Sequence, residues 1–380
     1  MDEPCILFDQ GPLPGGTLFA RPARVIRAAE PAEVPAALEA MQAAQGAGRW
    51  LAGMASYELG YLFSSKLRGL MPGGRDVPLL EFGVFEGPEA AEPLLTRAAE
   101  EAGAARLSPP EPELGFAAYA EAFARVKAYI AAGDIYQANL TFPMRARREG
   151  AVPGLYGALR AAQPVPFGAL HALGALPVLS RSPELFFRVA GGVIETRPMK
   201  GTQPRGATPQ EDEAARAFLR SDPKNRAENL MIVDLLRNDI SRVARIGSVH
   251  VPELFAVESF ATVHQMTSLI RAELRAGVTL SEIFEALFPC GSVTGAPKIR
   301  AMQIIRELEP APRGAYCGAL GWIAPSGDME FNVAIRTLTL LPGGAVRLNV
   351  GGGVVHDSTA QSEYEEALWK ARFATLSPTG

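Results

Sequence analysis

Residues 169–202 read ALHALGALPVLSRSPELFFRVAGGVIETRPMKGT, and their spacing decides the fold class. Four short apolar runs, Ala169–Leu173, Leu176–Ser180, Leu185–Val189 and Val193–Thr196, stand two to four residues apart with Gly, Pro or Ser among the spacers. A parallel βαβ unit needs a crossover of about a dozen residues, so gaps this short predict antiparallel strands. The last run leads into Thr196-Arg197-Pro198-Met199-Lys200-Gly201-Thr202. Arg-Pro stiffens the backbone before Lys200, and Gly201 lets a partner approach it closely. Lys200 is expected at a strand end, facing a cleft. Ser182-Pro183-Glu184 places a carboxylate beside apolar residues just upstream. An acid and an amine near the ends of neighbouring strands can work on one substrate; a simple ion pair reads the same two residues equally well.

Downstream, Glu211–Leu219 and Lys224–Leu236 read as helices, the second with Ala227, Met231 and Leu235 as its stripe and Glu228 and Asn229 at the stripe's edge. Strands are expected at Ser248–Val251, Leu254–Val257 and Ala261–Arg271, and a helix at Leu280–Leu287. In Gly291-Ser292-Val293-Thr294-Gly295-Ala296-Pro297-Lys298, Thr294 is the candidate cap of a helix running to about Glu307. Ala315–Ala324, Phe331–Leu341 and Ala345–Val350 alternate as strands. Gly351-Gly352-Gly353 then breaks the pattern, as a plain loop or as a nest of N–H groups for a carboxylate. The last helix, Ser358–Phe373, carries Glu363, Glu366 and Lys370 at helical spacing on one face. That face is either a salt-bridge ladder or a source of carboxylates for Mg²⁺.

Upstream, Tyr119–Ala132 reads as an amphipathic helix stopped by Gly133, and Leu155–Ala162 as another. Residues 1–110 differ in composition: rich in Ala, Pro and Glu, with apolar runs at 5–8, 50–54 and 79–85 around a helix near 35–45. The proline-rich stretch 107–113 is a connector to a second region, 115–375, yet the first part has too few apolar residues for a core of its own.

The 380 residues, 48% hydrophobic and 21% charged, fit a globular α+β protein. A net charge of −4 argues against a nucleic-acid face. Cys5, Cys290 and Cys317 are odd in number and unpaired by spacing, and the four histidines show no ligand spacing, so a reducing, cytoplasmic setting without zinc is expected. No apolar run reaches about 18 residues, and the first residues lack a basic signal-peptide start, so no membrane association is expected.

Taken together, residues 133–140 (GDIYQANL), 182–184 (SPE), 197–202 (RPMKGT), 227–239 (AENLMIVDLLRND), 291–298 (GSVTGAPK), 334–337 (AIRT) and 351–358 (GGGVVHDS), with Glu363, Glu366 and Lys370, resemble the chorismate-utilising enzymes, most closely component I of aminodeoxychorismate synthase. The resemblance implies two facing, mainly antiparallel sheets flanked by helices, with the active site between them. Residues 1–110 would complete the sandwich. In relatives this part carries a tryptophan pocket, which Ser56-Tyr57-Glu58 resembles in part, so tryptophan is the ligand the resemblance would put there.

The same resemblance implies an Mg²⁺-dependent transferase of the para-aminobenzoate branch of folate biosynthesis. Lys200 would attack chorismate at C2, with Glu184 as acid and base. Glu228, Glu366 and Glu363 would hold the metal. Arg336, Lys370, Gly352 and Gly353 would hold the pyruvyl carboxylate, and Thr294, Tyr316 and His264 would lie on the substrate side. Many relatives have histidine where this chain has Gln265. Anthranilate synthases usually have alanine at the Lys200 position, and isochorismate and salicylate synthases a lysine at Gln137; these are the rival readings, with an inactive amidotransferase-binding scaffold as a third. No segment resembles a glutaminase, so ammonia is expected from a separate glutamine amidotransferase subunit.

Overall fold

The 169–202 segment pairs as its short gaps dictate, but it does not stay in one sheet. In the computed structural model, which describes residues 3–260 and 263–376, Phe167–Ala172 pairs antiparallel with Val178–Ser182, and Leu185–Ala190 pairs antiparallel with Val193–Thr196. The first hairpin belongs to an eleven-stranded sheet and the second to a ten-stranded one. The chain changes sheets at Pro183-Glu184. Proline has no N–H for a ladder, so it ends one pairing and frees the next residue from both.

A second crossing lies beside the first. Phe331–Leu341, expected as one strand, is two: Met329–Asn332 in the ten-stranded sheet and Thr337–Leu340 in the other. The apolar positions pass from 331, 333 and 335 to 338 and 340, so the alternation changes phase at Arg336-Thr337, where the chain crosses. Val333 N donates to Glu184 O (3.1 Å) and Arg181 N donates to Arg336 O (2.9 Å), which ties the two crossings together. Arg336 takes a positive φ of 50°, a conformation a side-chain-bearing residue adopts only under local constraint.

Residues 1–110 supply strands to both sheets. Cys5–Phe8, Thr17–Ala20 and Glu89–Ala90 extend the larger one past Phe167–Ala172; Trp50–Ala55, Leu80–Phe85 and Arg24–Ala28 extend the smaller one past Ala319–Ile323. Between the sheets, Ile6, Phe8, Phe19, Met54 and Phe85 join Val178, Leu320 and Trp322 in one buried apolar cluster. A buried ion pair spans the interior as well: Arg313 donates to both oxygens of Glu309 (2.8 and 2.7 Å) and stacks on the Tyr57 ring, 4.5 Å from its centroid. With its charge matched and its donors filled, Arg313 tolerates burial.

Four expected elements differ in detail. The strand of the glycine run does not break: Ala345–Val354 pairs with Gln137–Glu149 through Gly351, Gly352 and Gly353. None of the three has positive φ; a Cβ on Gly351 would run into the backbone of the neighbouring strand and one on Gly353 would meet the Gln137 side-chain amide, so closeness and not a turn explains the glycine at 351. Thr294 is not a helix cap; Pro297 stands at the start of Lys298–Leu308 with no side-chain cap, and the Thr294 hydroxyl points back to Cys290 O and Gly291 O. The helix Pro223–Ser241 buries Asn229, Ile232, Val233, Leu236 and Ile240, which turns Ala227 outward. Two expected strands merge into His250–Ser259, and its partner runs from Val263 to Glu273; positions 261–262 of the expected strand lie outside the described residues. Among the described residues no helix is long and apolar enough to cross a membrane.

Candidate active site

Lys200 lies on Met199–Pro204, the edge strand of the ten-stranded sheet. The register against Val263–Glu273 slips there: Met199 faces Thr267 and Thr202 faces Gln265, so three steps oppose two. This bulge re-aims the side chain at Lys200. Gly201 makes it possible, with φ of +80° and no room for a Cβ, which would meet Asn225 Oδ1 at 2.8 Å.

The Lys200 amine is recessed, and burial lowers its proton affinity; Glu228, Glu184 and Glu366 oppose that shift, while Lys370 adds to it. Glu184 is buried at 5% exposure. Burial pushes its carboxyl up to about 7, against the pull of a Ser292 hydrogen bond and the Lys200 charge. Its Oε1 has no hydrogen-bond partner among the described residues. An acid that is half protonated near neutral pH, with one bare oxygen, is equipped to pass a proton.

The carboxylates come from two helices. Glu228 and Glu363 are half-buried and both are pushed up by burial first and by the Glu366 charge, Glu363 by Glu228 as well. Glu366 sits at the mouth; burial acts against its charge, but Lys370, Lys200 and Lys224 hold it below the usual carboxylate range. Lys370 reaches Glu366 Oε1 at 2.8 Å and donates to Gly351 O at 3.0 Å. It is thus part of the wall, not a free cation. Gly352 faces the same helix; a Cβ there would stand 3.0 Å from Glu363 Oε2 and 3.4 Å from Lys370 Nζ. Arg336 is half-buried, its charge penalised by burial, and its guanidinium finds no hydrogen-bond acceptor or ion-pair partner among the described residues. A desolvated guanidinium without a counter-ion invites a carboxylate.

Other candidates lie elsewhere or are already engaged. Thr294 is fully buried with its hydroxyl spent on the preceding turn. Tyr316 is buried beside Cys317, Arg313 and Glu309, and its phenol is pushed up by that burial. His264 is buried with both ring nitrogens engaged, Nε2 on Asp212 Oδ1 (2.9 Å) and Nδ1 on Ser259 Oγ (2.8 Å); it binds a hairpin to a helix. Glu58 accepts from Arg313 N and Gly314 N (2.7 and 3.0 Å), so the Ser56–Glu58 segment has spent its carboxylate on the fold. Gln137 is fully buried with neither amide atom partnered, beside Gly353.

A family model described as chorismate binding enzyme matches residues 3–375. The chain belongs to the chorismate binding enzymes. It is 47% identical over 252 residues to aminodeoxychorismate synthase component 1 of Klebsiella aerogenes, a match covering 66% of this chain and 56% of that protein. It is 46% identical over 252 residues to the protein of the same name from Escherichia coli strain K12, covering 66% of this chain and 55% of that one. The match thus spans little more than half the length of these relatives. Anthranilate synthase component I from Streptococcus pneumoniae TIGR4 has a similar structure: TM-score 0.79, 25% identity, 99% of this chain and 93% of that one.

The donors of this chorismate binding enzyme suit a hard divalent cation. Glu228, Glu363 and Glu366 feel one another's charge, and burial raises Glu228 and Glu363 in spite of the lysines around them. Among the described residues no three His, Cys, Asp or Glu side chains close into a full cage. Mg²⁺ does not require one, since it keeps several waters and takes one or two carboxylates. Sequence reading missed Ser292 and Cys290. Neither is charged, and their link to Glu184 exists only through the fold.

Proposed function

We propose that this chain makes 4-amino-4-deoxychorismate from chorismate and ammonia, as component I of an aminodeoxychorismate synthase in the para-aminobenzoate branch of folate biosynthesis. The observation that carries the reading is the Lys200 amine, re-aimed by a bulge into a cleft with Glu184, Glu228 and Glu366 around it. Arg336 would receive the pyruvyl carboxylate, with backbone of Gly352 and Gly353 beside it. Glu228, Glu363 and Glu366 would hold Mg²⁺, which when bound supplies a hard positive charge for the ring carboxylate.

Burial favours the uncharged forms of both Lys200 and Glu184. The neutral amine forms a bond to C2 while the C4–O bond breaks. Glu184 gives its proton to the departing oxygen, which leaves as water. Ammonia then bonds to C4, the C2–N bond breaks, and the Glu184 carboxylate takes a proton from the incoming nitrogen. The amine of Lys200 is regenerated.

The test is chorismate, Mg²⁺ and ammonium, with the product identified by mass and by conversion to 4-aminobenzoate with a lyase. Turnover is expected with ammonium and not with glutamine until a separate amidotransferase subunit is added. Chelation of the metal should stop it. Lys200→Ala should abolish the 4-amino product, and intact-mass analysis of the wild type should trap an adduct on the Lys200 peptide. Unchanged 4-amino product from Lys200→Ala would remove the covalent step. The second reading, anthranilate formation, is favoured by the structural likeness to an anthranilate synthase; pyruvate release with a 2-amino product would establish it.

A further inference from the structure

Ser358 is buried in the turn that enters the last helix, Ala360–Ala371, whose N-cap is Thr359. Its Oγ accepts the Val355 N–H at 3.1 Å and lies 2.7 Å from Glu363 Oε1. An amide N–H can only donate and a carboxylate can only accept, so the hydrogen of the serine goes to Glu363. The turn is itself held from outside. Lys127, on the helix Phe116–Ala131, donates to His356 O, to Ser358 O at 3.3 Å and to Val355 O at 3.4 Å. The donors of one ammonium group are thus spent on the carbonyls of one turn. The second oxygen of Glu363 is different. Oε2 receives no hydrogen bond from any described residue, and it lies 3.0 Å from where a Cβ on Gly352 would stand.

We propose that Ser358 is a positioning residue that holds Glu363 to one free oxygen and so makes the cleft prefer Mg²⁺ to Ca²⁺. The inference deepens the proposed metal role of Glu228, Glu363 and Glu366, and rests on it. Mg²⁺ demands near-ideal octahedral geometry, with its oxygens along separate axes. The two oxygens of one carboxylate stand too close together for that, so Mg²⁺ uses one oxygen of an acid, directly or through a water. Ca²⁺ is larger, has a looser shell and accepts a carboxylate by both oxygens. With Oε1 tied to Ser358, Glu363 offers only Oε2 to the cleft. A hydrogen bond behind a ligand also fixes its orientation, which a small ion with strict geometry needs more than a large one. Other groups near Glu363 do not replace this restraint. Lys370 is engaged by Glu366 Oε1 and Gly351 O, and Glu228 and Glu366 repel Glu363. Lys127 acts one step further back, on the turn that carries Ser358.

Metal binding is read without turnover, by the loss of the free Mn²⁺ EPR signal when the whole chain is added, with Mg²⁺ and Ca²⁺ each titrated as competitor. Glu228→Gln and Glu366→Gln should each weaken Mn²⁺ binding, which ties the ion to this cleft. Ser358→Ala should weaken Mg²⁺ binding by about tenfold, the size expected for loss of a hydrogen bond behind a ligand, and Ca²⁺ binding by much less. Ser358→Thr, which keeps the hydroxyl, should restore the preference for Mg²⁺. Lys127→Met should lower that preference by a smaller factor. In turnover assays the Mg²⁺ concentration giving half the maximal rate should rise with the Mg²⁺ constant. Unchanged Mg²⁺ binding in Ser358→Ala overturns the proposal. So do equal losses for Mg²⁺ and Ca²⁺, which a merely structural serine would give. If Ser358→Ala fails to fold, Lys127→Met decides, and an unchanged ratio of the two constants there overturns the proposal. If Glu228→Gln and Glu366→Gln leave Mn²⁺ binding intact, the proposed metal site falls and this inference with it. The expected shifts without 4-amino product would strike the proposed chemistry and leave the Mg²⁺ preference standing.

Discussion

A lysine attacks carbon only as a neutral amine, and a carboxylic acid protonates a leaving oxygen only while it holds its proton. Lys200 and Glu184 face each other's charge, so the productive pair and the ion pair contain the same number of protons. Changing pH does not choose between them; desolvation does, and it favours the uncharged pair. That choice has a stability cost. The Glu184 carboxyl is raised from 4.5 to about 7, so the folded chain holds this proton more tightly than the unfolded one. The contribution is fully present below pH 4.5 and lost as pH rises through 7, a swing of about 3 kcal/mol. Glu184→Gln lacks it. Urea melts should show the variant gaining on wild type by roughly 2–3 kcal/mol between pH 4.5 and pH 8. A difference that stays constant with pH would place the carboxyl in solvent. At this scale the charged residues were legible, because a lysine between Arg-Pro-Met and Gly-Thr, and an acid after Ser-Pro, are marked by their neighbours. Ser292 and Cys290 carry no such mark. The Lys370–Glu366 pair was legible from its four-residue spacing, whereas the Asp212 and Ser259 partners of His264 come only with the fold.

Elements do what single residues cannot. The bulge at Met199–Thr202 directs Lys200, and Gly201 is its pivot. Gly201→Ala would force an ordinary residue into a left-handed conformation, costing about 1–2 kcal/mol, and press its Cβ onto Asn225. The amine should move with the bulge. The expected result is a loss of kcat of tenfold or more beside a modest fall in melting temperature; equal losses in both would mean a merely structural glycine. Strand spacing in 169–196 was legible because hairpins leave a local signature. The sheet change inside 331–341 is marked only by a phase flip between Ile335 and Leu338, which a single-strand reading passes over because a flip can also be a bulge within one strand. The glycines at 351–353 misled for a related reason: glycine marks either a turn or a close approach, and only the neighbouring strand tells them apart.

Across the whole molecule, the two sheets are shared property. Without residues 1–110, Phe167–Ala172 and Ala319–Ile323 would become bare edges, and the cluster around Phe19, Phe85 and Trp322 would open. Exposed edges and apolar faces drive aggregation. Residues 115–380 expressed alone should therefore elute as aggregate with no cooperative melt, and co-expression of 1–114 should recover soluble material. A monomeric, cooperatively melting truncation would contradict this. The composition shift near residue 110 is real, but it separates lengths of chain, not cores.

The crossings at 183–184 and 333–336 are tied by main-chain bonds from Val333 N to Glu184 O and from Arg181 N to Arg336 O, so Glu184 and Arg336 sit on neighbouring, mutually bonded segments. The proposed proton donor and the proposed carboxylate anchor are therefore set on one main-chain frame. Lys200 hangs on an outermost strand with only one neighbour to follow. The proposed nucleophile is thus held by less of the sheet than the two groups it would work with.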